Sequence, residues 1–483
     1  MAEDSPKAPT EKLTQREIGS IMAGLMVAMF PAALDTTIIG PAMPTMGREL
    51  GDVEHLPWIV TSYLLVSTAA TPLYGKLSDI HGRRVMLLWA IGLFAVGSIF
   101  CAIAPTMITL ALARALQAVG GGGLMSLAMT IVGDIVSPLE RPKYQVYTSI
   151  MWTTSSLLGP ALGGWLADKW HWSLIFWINL PICLAAWVMT DSKLKRLPRH
   201  ERPHKLDFAG AGLLVLASML VQLMLSWGGT RYPWGSTPVL SIMAGAALAI
   251  ALLTWRLRTA DEPLIPLGLL SNQIVLTAGT SVGLCMAVFV GLSIYVPIYF
   301  ETVLRLSATE SGLALLPLMT GSSIGAIACG KVMVRVRHYK ILPMLGLIMG
   351  GLVLLPLYVW PEGLSLLTIE IIFTLVSIGV GGVFPVTTIS VQNAAPKHAL
   401  GTATAMITFL RNIGAALGVA VFGTLVVGAG ISDMGAAGAS HGADYAAQFR
   451  WIFLAGAIGF LMSAAVLAAM EERPLRAHGS GKL

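Results

Sequence analysis

Residues 85–133 read VMLLWAIGLFAVGSIFCAIAPTMITLALARALQAVGGGGLMSLAMTIVG, and Arg114 is the only charged residue among them. A helix needs about 20 apolar residues to cross a bilayer core. The stretch holds two such runs, 85–104 and 107–133, with room for only a tight turn between them. Two crossings back to back mark a membrane protein, and the rest of the chain repeats the pattern. Of 483 residues, 55% are hydrophobic and 12% charged, with a mean hydropathy of +0.75; a soluble domain carries about 25% charged residues. One soluble core of that make-up is excluded. Working outward, spans are expected near 18–39, 57–76, 85–104, 107–133, 144–167 and 172–190. A second group is expected near 208–227, 238–255, 273–299, 311–330, 341–360, 364–386, 400–427 and 451–470. The expected fold is an all-α membrane protein with fourteen transmembrane helices.

Charge placement orients these spans. With the N-terminus inside, 24 of the 31 Lys and Arg residues fall on cytoplasmic segments. Five fall outside (Arg48, Lys169, Arg231, Arg305, Arg450) and two within spans (Arg114, Arg411). By the positive-inside rule both termini are cytoplasmic and the protein is a multi-pass component of a bacterial inner membrane. The net charge of +6 belongs to this topology, so nucleic acid is not a partner. Cys101, Cys183, Cys285 and Cys329 all lie in apolar runs without pairing or metal spacing and read as small buried hydrophobes. The polar segment 1–17 has no cleavage pattern, so the first span acts as its own insertion signal.

An internal repeat sets the architecture. Gly159-Pro160-Ala161-Leu162-Gly163 is echoed by Gly414-Ala415-Ala416-Leu417-Gly418, and Gly75-Lys76 by Gly330-Lys331, both at an offset of 255 residues. The offset divides the chain into a cytoplasmic tail 1–17, a six-helix half 18–190, a linker 191–207, an inserted helix pair 208–256, a loop 257–272, a second six-helix half 273–470 and a tail 471–483. Halves repeated in the same orientation imply an axis along the membrane normal and a substrate site between them near the midplane.

Ionisable groups inside a bilayer cost about 2.5–3.5 kcal/mol each at a helix centre, so the few present are informative. Asp35 in LDTTIIGPAMP is the candidate proton carrier. A carboxyl loads or releases a proton as an apolar wall, favouring its neutral form, alternates with a cation, favouring its charged form. Arg114 is its expected partner across the cavity, with Gln117 one turn away on the same face. Gly120 to Gly123 suit close helix approach. Glu370 falls one residue from the repeat position of Arg114, which points it at the shared cavity; reach to the outer interface is the competing reading. Arg411 joins the cavity list, although a place toward the cytoplasmic end of its span also permits snorkelling. Trp58, Tyr63, Trp152, Phe289, Tyr295, Tyr299 and Phe409 are candidate apolar lining. In GKLSDIHGRR, Gly75, Asp79, Gly82, Arg83 and Arg84, with Asp134 at the end of span 4, form a carboxylate–guanidinium cluster suited to gating. No GxxxxGK[ST] loop occurs, which disfavours a nucleotide-driven pump, and no nucleophile–base pair or metal cluster suggests an enzyme.

Together these residues resemble the fourteen-span drug:proton antiporter branch (EmrB/QacA type) of the major facilitator superfamily, over nearly the whole chain. GKLSDIHGRR is similar to the superfamily's loop 2–3 signature, with Ile80 where a basic residue is usual. RALQAVGGG resembles the span-4 pattern, with Ala118 for a glycine. SSLLGPALGG resembles the span-5 antiporter motif, keeping Gly159, Pro160, Gly163 and Gly164 and placing Ser155 at its opening glycine. LDTTIIGPAMP keeps Asp35, Thr36 and Pro44 of the span-1 motif, with Gly40 where asparagine is common. WHWSLIFWINLP, with His171 in an arginine's place, and YFETVLRLSATESGLALLP also resemble the branch. The resemblance implies a major facilitator fold (6+2+6), alternating access and proton antiport. The expected function is multidrug efflux, export of small lipophilic, cationic compounds with antibiotic resistance as its consequence. Export of an endogenous metabolite, siderophore or lipid stands beside it, and a non-transporting sensor or scaffold is the alternative from another class. No cofactor is expected beyond the proton gradient. The expected partners are protons, a small-molecule substrate, the lipid bilayer and a periplasmic adaptor, with the chain itself a monomer.

Overall fold

The computed structural model describes residues 14–52, 55–196, 207–229, 231–260, 262–306, 308–333, 335–336, 338–396, 399–428 and 442–475. Among them the chain is helical apart from turns and a lone Gly228–Tyr232 bridge. The first helix, α1 (Gln15–Leu50), opens on a capping box: the Thr14 hydroxyl accepts from the Glu17 N–H, and the Glu17 carboxylate accepts from the Thr14 N–H. It ends at Gly51, whose φ of 70° is left-handed. The expected span 18–39 stopped where polarity rises; the helix runs on until a residue stops it.

The chain continues through α2 (Trp58–His81), α3 (Arg83–Ala102), α4 (Met107–Ile135), α5 (Arg141–Lys169), α6 (Leu174–Trp177) and α7 (Asn179–Lys193). Next come α8 (Phe208–Trp227) and α9 (Thr237–Thr259), then the short α10 (Leu267–Leu270). After them follow α11 (Gln273–Thr302), α12 (Ala308–Ala314), α13 (Leu316–Met333), α14 (Ile341–Val359), α15 (Leu366–Gly381), α16 (Val383–Ala394), α17 (Leu400–Gly428) and α18 (Gly442–Ala468). Twelve helical stretches among the described residues are long and apolar enough to cross a membrane. The remaining two of the expected fourteen, α2 and α5, are unbroken helices of 24 and 29 residues that fall short in apolarity. Their Ser and Thr residues, among them Ser62, Ser67, Thr68 and Thr71 in α2 and Thr148, Ser149, Thr153 and Ser155 in α5, lower it. Much of the expected linker 191–207, residues 429–441 and most of both tails lie outside the described residues.

Helix packing follows a pattern that occurs twice. α1 packs on α5 as α11 packs on α17, α2 on α4 as α13 on α15, and α1 on α7 as α11 on α18. The sets are joined chiefly by α2 and α4 against α17 and by α5 against α13. One apolar core gathers α11 to α18 and two others gather α1 to α7. The hairpin α8–α9 leans on α2 and α17 through Leu214, Leu253, Leu257 and Met406. Lipid offers no hydrophobic drive for helices to associate, so close backbone approach matters. In α4, a Cβ at Gly120 would lie 2.4 Å from the Phe94 nitrogen, and one at Gly122 2.3 Å from the Ser67 oxygen. The glycine run thus wedges α4 between α3 and α2.

Candidate functional site

α1 and α4 bring Asp35 and Arg114 together. Arg114 Nη1 donates to Asp35 Oδ2 at 2.6 Å and to Gln117 Oε1 at 2.6 Å, and its Nε donates to the Ile59 carbonyl at 3.2 Å. Gln117 Nε2 donates to Asp35 Oδ1 at 3.0 Å, so both carboxylate oxygens are engaged. The Tyr63 ring lies under the guanidinium at 4.2 Å, a cation–π contact strengthened by the burial of both groups. Asp35 and Arg114 are 0% and 2% exposed. The pair was expected to face across a cavity; it is instead enclosed, because α2 and α3 close over α4. A buried pair of this kind tolerates desolvation only when its remaining lone pairs and protons are matched.

The cluster continues into residues that the sequence did not single out. Gln117 Nε2 also donates to Ser98 Oγ at 2.9 Å, and Asn179 Nδ2 to Ser98 Oγ at 3.4 Å. Asn179, 1% exposed, leaves its Oδ1 without a hydrogen-bond partner among the described residues. Cys101 Sγ reaches Gln117 Oε1 at 3.7 Å. A Ser and an Asn in apolar spans were the available signal, but nothing in their spacing tells which helix they face.

At the face carrying the α2–α3 turn, three of the gating candidates, Asp79, Arg83 and Asp134, form one network. Arg83 pairs with Asp79 at 2.6 Å and with Asp134 at 2.8 Å. Arg84 pairs instead with Asp191 at the end of α7. Asp79 crosses to the other helix set: its carboxylate accepts from the Gly401 N–H at 3.1 Å, the Thr402 N–H at 3.0 Å and the Thr402 hydroxyl at 2.9 Å. An anion thus sits on the N-terminus of α17, where unpaired N–H groups and the helix dipole favour it. Gly75 permits the crossing, since a Cβ there would stand 2.6 Å from Ala405 Cβ and 2.8 Å from the Gly401 oxygen. Gly82, at φ 89°, turns the chain between α2 and α3. Gln392 adds a second tie, donating to the Met129 carbonyl at 3.2 Å. Neither Thr402 nor Gln392 carried a sequence signal.

The span-5 motif packs α5 on the helix that carries Asp35. A Cβ at Gly159 would lie 2.0 Å from Thr37 Oγ1, and one at Gly163 2.1 Å from the Ile38 oxygen, while Thr37 donates to the Ser155 carbonyl at 2.9 Å. Gly164 approaches Pro41 more loosely and Pro160 is exposed within α5. The echoing glycines of α17 do the same against α11: Gly414 meets the Gly283 oxygen and Gly418 the Ala287 oxygen.

The candidate lining residues scatter. Trp58 packs edge-on against Trp227 of α8 at 6.0 Å, and Phe409 packs into the cluster beneath α8–α9. Tyr295 donates to the Val419 carbonyl at 3.2 Å, Tyr299 to the Pro361 carbonyl, and Phe289 packs on the core of α11 to α18. Trp152 is 39% exposed on α5. An apolar cleft of about 340 Å³ lies between α1, α5 and α7, lined by Met26, Phe30, Tyr147, Met151 and Ile182, and none of the expected lining residues borders it. Glu370 is half-buried one turn into α15, with no ion pair among the described residues and no contact to the Asp35 cluster. Arg411 stands eleven residues into α17 with its guanidinium over the Phe384 ring at 5.0 Å.

Comparison with known proteins places these features. The sequence profile of the Major Facilitator Superfamily matches residues 25–419. An uncharacterised MFS-type transporter of Mycobacterium tuberculosis is 33% identical over 432 residues, covering 87% of this chain and 63% of that one. The chain therefore spans less than two thirds of that relative's length. The multidrug transporter protein MdtP of Bacillus subtilis is 32% identical over 411 residues, covering 84% of this chain and 75% of that one. Among solved structures, a bacterial homologue of the iron transporter ferroportin in an outward-facing state superposes with a TM-score of 0.66 at 12% identity, covering 94% of this chain and 98% of that one. That likeness concerns the fold.

Proposed function

This chain belongs to the major facilitator superfamily, and from that premise we propose that it is a proton-coupled antiporter of the fourteen-span EmrB/QacA branch, exporting lipophilic compounds across a bacterial inner membrane by alternating access. The observation that carries the reading is the enclosed Asp35–Arg114–Gln117 cluster, a buried ion pair whose carboxylate a proton would neutralise. Protonation of Asp35 removes the counter-ion of Arg114, which keeps the Ile59 carbonyl and Gln117 as acceptors. The α1–α4 contact then loses its charge attraction. α1 is locked to α5 by the Gly159 and Gly163 contacts, so the two helices respond as a unit.

The recurring helix pairs support two six-helix halves, with α8–α9 inserted between them. The α2–α17 and α5–α13 contacts are then the seams along which the halves rock. The Asp79 contact with α17 holds the cytoplasmic side shut in the conformation described, and substrate loading on that side requires its release. An inward proton crossing 100 mV supplies about 2.3 kcal/mol, enough to drive export without nucleotide or cofactor. With both oxygens of Asp35 engaged, a cationic cargo rests on Glu370 alone, and the proposal is stated for lipophilic compounds without that restriction. Uptake of ethidium into inside-out vesicles bearing the protein should follow an imposed proton gradient and vanish with an uncoupler. Uptake that ignores the uncoupler would remove proton coupling, and absence of uptake for a panel of lipophilic dyes would remove the exporter.

A further inference from the structure

Arg411 presents the converse of Arg114. Both guanidiniums lie in apolar helices, yet Arg411 makes no hydrogen bond or ion pair among the described residues. Its Nε is buried without an acceptor, and its guanidinium lies over the π face of Phe384 at 5.0 Å. A guanidinium carries five N–H donors and stays charged, so leaving them unmatched within a bilayer is expensive.

The chain does not supply the missing acceptor from its intramembrane acids. Both oxygens of Asp35 are committed to Arg114 and Gln117. Glu370 precedes Phe384 by fourteen residues along α15 and α16, about 21 Å at helical rise, well beyond the reach of an arginine side chain. Arg411 is also only partly covered, as is Phe384 beneath it, so the donors not facing the ring are open to a visitor. The ring covers one side of the guanidinium, and a guanidinium fork is suited to a two-oxygen anion.

We propose that Arg411, stacked on Phe384, is the binding site for the anionic group, a carboxylate or sulfonate, of a lipophilic organic anion. The inference rests on the exporter reading only in making that anion a cargo; the binding site itself does not depend on it. Its apolar body lies along the α16–α17 wall, and a neutral ester of the same body lacks the decisive contact. Arg411 is in this sense a specificity-determining residue.

Radiolabelled 1-naphthaleneacetate and its methyl ester are the probes, measured by equilibrium binding to the full-length protein in lipid nanodiscs without a proton gradient. The wild type should prefer the acid. Arg411→Gln should weaken the acid about tenfold or more and leave the ester unchanged, with Arg411→Lys in between because it keeps the charge and loses the fork. Equal affinity for acid and ester in the wild type, or unaltered acid binding in Arg411→Gln, would overturn the site. Should Arg411→Gln fail to give a monodisperse protein, Phe384→Leu carries the test, since loss of the ring should weaken the acid selectively and undiminished acid binding would refute the stack. Vesicle transport separates the two readings. Acid bound but never moved leaves the site standing without the exporter, whereas uncoupler-sensitive ethidium transport with indifferent acid binding leaves the exporter standing without the site.

Discussion

Asp35 and Arg114 show what a charge needs in order to stay inside a bilayer. The carboxylate receives two charged or amide donors, and the guanidinium is matched by a carboxylate, an amide, a carbonyl and a ring face. Removing one partner of such a pair costs about 3–5 kcal/mol, whereas replacing both together costs far less. Asp35→Ala should therefore lower the thermal midpoint of the purified protein clearly, and Asp35→Ala combined with Arg114→Gln should recover part of the loss. Additive losses in the double variant would mean that the pair is energetically uncoupled. Much of this cluster was legible in the sequence, because an intramembrane acid and base have few candidate partners and Gln117 shares a helical face with Arg114. Ser98 and Asn179 were not, since a small polar residue in an apolar span gives no bearing until the helices around it are placed. For Arg411 the sequence left the cavity and the snorkelling readings open, since it could not show the Phe384 ring beside it.

Helices meet here through a few positions where side chains are absent or capping. Asp79 on the N-terminus of α17 joins an ionised acceptor to three donors, and hydrogen bonds to charged groups are worth about 1.5–3 kcal/mol each. Asp79→Ala should loosen the α2–α17 seam more than Asp79→Asn, whose amide oxygen still accepts from Gly401 and Thr402. Ala405→Cys, placed where α17 crosses Gly75, reports the change: an impermeant maleimide added to inside-out vesicles should label it faster with Asp79→Ala than without it. The four native cysteines are buried and give little background. Unchanged labelling would show that Asp79 does not hold the seam. The glycines and the acid of this crossing stand out in the sequence, but Gly401 and Thr402 do not, because a helix start accepts an anion through its backbone whatever its side chains are.

At the scale of the whole molecule, hydropathy undervalues two helices that pack along the seams. α2 and α5 fall short in apolarity, and both take part in the contacts between the helix sets, with α17 and α13. A seam helix spends little of its surface on lipid, so Ser and Thr are tolerated along it, as where Thr153 meets Ser323 at 2.6 Å. Helices of 24 and 29 residues are about 36 Å and about 44 Å long, each enough to cross a core of about 30 Å. They lie alongside α4 and α1, both apolar enough to cross, and the proposed fourteen-span topology has α2 and α5 cross with them. Truncated fusions decide the matter, since alkaline phosphatase is active only outside the inner membrane and green fluorescent protein fluoresces only inside. Phosphatase should be active after Gly51 and His171 and silent after Gly82 and Ser137, with fluorescence in the opposite pattern. If Gly51 and Gly82 report the same side, α2 does not cross; if Ser137 and His171 do, α5 does not, and the two-fold pairing of the halves would have to be abandoned with it.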